Sequence, residues 1–130
     1  MSDLIEAAMA ARLRAHAPYS RFLVGAAVRD ERGRVFGGCN IENAAYPQGW
    51  CAEASAISGL VLAGGTKITE VAVVGVGAEL VTPCGGCRQK IREFAEGSVA
   101  IHVCGEDGTV RRSFTLNELL PFSFGPEHLA

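Results

Sequence analysis

The run "ITEVAVVGVGA" at positions 68–78 constrains the fold more than any other stretch. From Val71 onward nothing polar interrupts it, so both faces of an extended strand would be apolar there. Such a strand is stable only inside a sheet covered on both sides. It is far shorter than the roughly 20 residues that cross a bilayer as a helix, so it reads as core and not as a membrane span.

The segments around it supply the cover. Residues 3–16 place Leu4, Ile5, Ala8, Met9, Arg12 and Leu13 at helical spacing, with Asp3 and Glu6 as a capping pair and Pro18 as the stop. "FLVGAAVRD" and "RVFGGCN", joined by "ERG", read as a β-hairpin, and "IENAAYPQGW" as a loop. A second helix starts near Cys51, carries Ile57, Leu60 and Val61 on one side, and ends at Gly64–Gly65. Beyond the long apolar strand, residues 84–96 form a third helix, with Cys87, Ile91 and Phe94 on one stripe and Gly97 as its cap. "SVAIHVC" and "VRRSF" are further strands, and "TLNELL" is a short helix before a Pro/Phe/Gly tail. Helix, strand, helix, strand in the middle of the chain argues for crossover units on a sheet with helices on its faces. At 130 residues, one domain over 1–130 is expected.

Composition narrows the function classes. The net charge is -2 and no Lys/Arg run interleaves with aromatics, so a nucleic-acid footprint is absent and a small polar ligand suits the surface better. The first twenty residues carry their acids early and their basic residues late, the reverse of a secretory signal. A cytoplasmic location is therefore expected, and there the five cysteines are read as thiols and not as a disulfide scaffold.

Those cysteines are unevenly placed. In "PCGGCRQ", Cys84 and Cys87 lie one helical turn apart, so both sulfurs can reach one point. A lone C-x-x-C is half of a zinc site, a redox pair or a coincidence. A structural zinc site needs a second pair, and the chain has none; the other cysteine at a helix start is Cys51, in "CAE". Three thiolates with a fourth position open is the donor set of a water-activating zinc. Glu53, two residues beyond Cys51, is placed to move protons beside such a metal without being a ligand. Cys39 and Cys104 read as small buried strand residues, and His16, His102 and His128 receive no role.

"CAE" followed about thirty residues later by "PCGGCRQ" resembles the cytidine deaminase family, in its small homotetrameric, three-cysteine form. "APYSRFLVGAA" is similar to the family's base-stacking segment, "GCNIENAAYP" to its ribose-binding segment and "LLPFSFGPEHL" to its C-terminal tail. The resemblance implies a three-layer α/β/α sandwich on a mixed sheet of about five strands. It implies that Cys51, Cys84 and Cys87 hold one Zn2+ per subunit and that Glu53 shuttles protons. It further implies that Ala52 and Glu53 fix the pyrimidine's polar edge, that Phe22 packs on the ring face, and that Asn40 and Glu42 hold the ribose hydroxyls. Tyr46 and Phe124 would reach a neighbouring subunit's site. The implied reaction is hydrolytic deamination of cytidine and deoxycytidine in pyrimidine salvage. The rivals are deamination of a modified nucleoside of the blasticidin type, and a non-catalytic structural zinc protein. The chain departs from the family's pattern at Ala54 and Gly86, both often arginine, and at Trp50, unusually large before Cys51. The helix starts at Cys51 and Cys84, with Arg88 beside Cys87, are expected to offset the thiolate charge instead.

Overall fold

The computed structural model describes residues 1–130. In chain order the elements are α1 (Asp3–Arg12), β1 (Gly25–Asp30), β2 (Val35–Cys39), α2 (Ala52–Leu62), β3 (Ile68–Val74), α3 (Gly85–Arg92), β4 (Ala100–Cys104), β5 (Val110–Thr115) and α4 (Leu116–Leu119). Single 3-10 turns lie at Tyr46–Gln48 and Pro126–His128. The strands form one mixed sheet in the order β2-β1-β3-β4-β5, with β3 and β4 parallel and every other pair antiparallel.

This order fixes where chemistry can gather. β1 runs against both β2 and β3, so β2 and β3 point the same way, and β4 points with them. α2 follows β2 and α3 follows β3, so both helices begin at one edge of the sheet. Strand ends meeting helix N-termini at one edge is the arrangement in which α/β sheets place their sites.

β3 is buried on both faces, as its sequence requires. Val71 and Val73 join a cluster with Ala52, Ala56 and Leu60 of α2, Ile91 of α3 and Leu116 of α4. Ala72 and Val74 face the other way, against Leu4, Ile5 and Ala8 of α1. The result is the expected α/β/α sandwich. Two glycines set the separation of its layers. A Cβ on Gly38 of β2 would collide with the backbone of Ala56 in α2, and one on Gly25 of β1 with the carbonyl of Ala8 in α1. Helix and strand backbones touch at these points, which no side chain permits.

Local details differ from the sequence expectation for identifiable reasons. The N-cap of α1 is Ser2, whose Oγ accepts the Ile5 N–H at 3.3 Å, one residue earlier than the Asp3–Glu6 pairing. Asp3 instead accepts the Leu4 N–H at 2.9 Å and pairs with Arg29 of β1 at 2.7 Å. α3 stops at Arg92, four residues short of the expected end. There the Phe94 carbonyl accepts the Ile68 N–H at 2.9 Å, which ties the chain to the start of β3. Gly97 is not a cap; its carbonyl takes the Asn117 N–H at 2.9 Å. Cys104 is buried on β4 as expected, whereas Cys39, at the end of β2, is half-buried.

Candidate metal centre and active site

Cys51 is the N-cap residue of α2 and Cys84 that of α3, and Cys87 lies in the first turn of α3. The Cys51 and Cys84 sulfurs point at each other across the sheet edge. The donor atoms of Cys51, Cys84 and Cys87 all lie within 4.8 Å of one another. The Cys51 and Cys84 sulfurs are 3.7 Å apart. Two sulfurs bound to one tetrahedral zinc at about 2.3 Å are themselves about 3.8 Å apart, so the cluster fits that ion and leaves one position open.

The thiols are tuned by their burial and by one another. Burial pushes Cys87 strongly up, and the nearby carboxylate of Glu53 pushes the same way. Burial also raises Cys51, with its bond to Cys84 adding to the effect. Burial works against ionisation at Cys84 too, but the Cys87 backbone N–H and the neighbouring thiols outweigh it, and Cys84 lies below the ordinary value. Cys84 is thus the most readily ionised thiol of the three. The open N-termini of both helices add partial positive charge at the same point.

Glu53 is the second residue of α2 and only 4% exposed. Burial raises its pKa above the usual carboxylate value, while its own backbone N–H and the charge of Lys90 pull it part of the way back. A buried carboxylate whose pKa is raised in this way is suited to accept a proton and return it.

A cavity of about 250 Å³ opens over this group. Its walls include Phe22, Val24, Asn40, Cys51, Ala52, Glu53 and Cys84, which brings together most of the site residues expected from the sequence. Asn40 is anchored rather than free: its Oδ1 accepts the Val24 N–H and its Nδ2 donates to the Phe22 carbonyl, both at 2.9 Å. It thereby holds the segment that carries the Phe22 ring.

The other expected contacts lie apart. Glu42 and Tyr46 line an adjoining cavity of about 400 Å³ with Tyr19 and Ser20. The Glu42 carboxylate accepts the N–H groups of Tyr19 at 2.9 Å and Ser20 at 3.1 Å, and the Ser20 hydroxyl as well. Tyr46 packs edge-on against Tyr19 with ring centres 5.9 Å apart and is largely exposed. Phe124 stacks on His128 at 4.8 Å, and its carbonyl accepts from Gln89 of α3 at 2.9 Å, outside both cavities.

Arg88 is placed differently from a charge aimed at the sulfurs. Its guanidinium donates to the Pro83 carbonyl at 2.7 Å, the Leu119 carbonyl at 2.8 Å and the Thr82 hydroxyl at 3.0 Å. It clamps the loop that presents Cys84. Two groups were missed by sequence reasoning. Lys90, whose charge reaches Glu53, carries no motif. Arg92 fastens the tail to α3 by donating to Ser123 at 2.8 Å and pairing with Glu127, and only its position in the last turn of α3 hints at this.

Three thiols at two helix starts, with a buried carboxylate beside them on the cavity wall, define a zinc-dependent hydrolytic class. Within that class the chain belongs to the cytidine and deoxycytidylate deaminase family, whose zinc-binding region matches residues 1–103. It is 41% identical to a cytidine deaminase of Sporosarcina psychrophila over 130 residues, covering 100% of this chain and 95% of that protein. It is 39% identical to a cytidine deaminase of Mycobacterium tuberculosis over 115 residues, covering 88% of this chain and 82% of that protein. The crystal structure of cytidine deaminase from Burkholderia pseudomallei superposes with a TM-score of 0.87 at 41% identity, covering 95% of this chain and 100% of that one. Zn2+ is the metal that both the family and the thiol cluster require. No helix of the chain is long and apolar enough to cross a membrane.

Proposed function

We propose that this chain is a zinc-dependent deaminase that converts cytidine and deoxycytidine to uridine and deoxyuridine by hydrolysis. The observation that carries the reading is a cluster of three cysteine sulfurs, two of which share one cavity with the buried Glu53 and Phe22. Cys51, Cys84 and Cys87 would hold one zinc ion per subunit, and that ion supplies an acidified water able to act as nucleophile at neutral pH. Glu53 would accept a proton from the attacking water on its carboxylate and pass it to ring N3 as the C4–O bond forms. It then carries the proton of the hydroxyl added at C4 to the exocyclic amino group as the C4–N bond breaks and the C4 carbonyl forms, so water and cytidine give ammonia and uridine. The Phe22 ring stacks on the base, and Ala52, in the first turn of α2, offers a backbone N–H without a helical partner to the base edge.

Asn40 and Glu42 face the sugar, and Arg88 holds the ligand loop that the sugar and base approach. Tyr46 and Phe124 serve the site of a neighbouring copy in a homotetramer, which is supported by their exposure and by their distance from this chain's own metal cavity. The single domain spans residues 1–130, and the cellular setting is cytoplasmic pyrimidine salvage.

The test is ultraviolet loss of cytidine and deoxycytidine by wild type and Glu53→Ala, with bound zinc quantified in both. Turnover should fall by at least about a hundredfold in the variant, the usual contribution of a proton-transferring side chain, while zinc stays bound. Wild type that holds zinc and leaves both nucleosides intact would sink the substrate assignment.

A further inference from the structure

The charge at the metal centre does not balance from the ligands alone. Loading a divalent zinc onto three thiols releases their protons, so the loaded site is one unit more negative than the neutral one. Glu53 adds a second negative charge within the same pocket. A cation that stabilises the loaded state must lie near the first turn of α3, and Arg88 is committed elsewhere by its three hydrogen bonds.

Lys90 occupies that place. It sits in the last turn of α3, yet its side chain runs back toward the helix start. Its Nζ lies 3.6 Å from where a Cβ on Gly86 would be, and 5.5 Å from the centre of the Trp50 ring. An ammonium at a helix N-terminus stands at the unfavourable end of the macrodipole, so its position needs opposing negative charge nearby. Glu93 lines the same groove but forms no salt bridge with it, nor does any other carboxylate of the chain. Gly86 lies between Cys84 and Cys87, and Trp50 directly precedes Cys51, so the ammonium stands beside the two helix starts that carry the three sulfurs. Trp50, the residue just before Cys51, supplies the π face that seats the ammonium, and Gly86 supplies the space it folds into.

We infer that Lys90, seated on Trp50 and folded back over Gly86, is a positioning residue whose charge holds zinc in the three-thiolate site. This rests on the zinc reading above. The side chain is exposed, so its field is partly screened by salt. That screening supplies a signature which a packing role would not have.

The experiment is competition for zinc between the intact protein and a chromophoric chelator, at low and at near-physiological ionic strength. Wild type, Lys90→Met and Lys90→Arg are compared. Lys90→Met should bind zinc about tenfold more weakly at low salt, at the lower end of the range for groups just outside a metal's ligands. The deficit should shrink as salt is added, and Lys90→Arg should recover most of it. Zinc held equally well by Lys90→Met overturns the inference while leaving the zinc reading intact. An equal loss in Lys90→Arg, or a loss indifferent to salt, also overturns it, because the stem and not the charge would then be at work. Wild type without bound zinc overturns the metal reading itself, and Lys90's role with it.

Discussion

The pocket has two ends that are built differently. At the metal end, Cys51, Cys84, Cys87 and Glu53 all lie on the first turns of α2 and α3, and sheet order alone brings those turns to one edge. At the end proposed to take the sugar, Asn40, Glu42 and Tyr46 stand on the irregular stretch between β2 and α2, and Phe124 on the tail. The first group gathers around one sulfur cluster at the floor of one cavity, whereas the second is spread over two cavities and an exposed surface. Reaction chemistry is thus carried by rigid elements, whose placement tolerates little error. The residues proposed for recognition stand on loops and on the C-terminal tail, the parts of a fold that vary most readily.

Changes at the metal end should abolish function. Replacing the fully buried Cys87 by Ala removes one of three sulfurs, and bound zinc and turnover should vanish together. Metal analysis beside the assay checks this, and full activity without zinc would break the comparison at its stronger end. At the sugar end Glu42→Ala should raise KM about tenfold while changing kcat little, since its carboxylate orders Tyr19 and Ser20 and touches no thiol. An equal fall in kcat would show that the two ends are not separable.

Phe124→Ala should have a smaller effect, a KM increase of about threefold, in keeping with the loss of one aromatic contact. Light scattering sharpens its meaning: a fully active monomer would remove the neighbour from the account. Smallest of all is a control remote from both ends. The Glu31 carboxylate accepts the N–H groups of Thr66 at 3.0 Å and Lys67 at 3.2 Å, and these bonds hold its pKa at about 2, down from 4.5. A depressed carboxylate stabilises the fold above the unfolded value and loses that contribution as pH falls through the folded one. Glu31→Gln should therefore lower Tm fully above pH 4.5, with the gap closing toward pH 2, and leave KM untouched. A Tm gap that widened in acid would contradict it.

The same division decides what could be read from the chain. β3 was legible because apolar residues on both faces leave an extended segment only one environment, and the ligands because two cysteines a turn apart and a third at another helix start have few uses. The role of Phe22 followed from resemblance alone, and its ring lines the cavity that Cys51, Glu53 and Cys84 also line. Tertiary partners were not legible. α3 stops early because the Phe94 carbonyl is taken by Ile68, twenty-six residues away in sequence. Arg88 faces carbonyls because Leu119 has folded over it, and no spacing announces that contact. Lys90 was overlooked because a lysine on an exposed helix face normally points into water, and only Trp50 and the room above Gly86 turn it back.

Gly38 bears on how variants of such a chain are interpreted. It lines neither cavity and carries no reactive group, yet α2 rests directly on it. Any side chain there lifts the helix as a unit, carrying Cys51 and Glu53 away from Cys84 and Cys87 together. A screen for loss of function would rank this glycine with the ligands. Only a measurement of heat stability, falling in step with activity, would show that the substitution had moved a supporting strut and left the chemistry's own atoms unaltered.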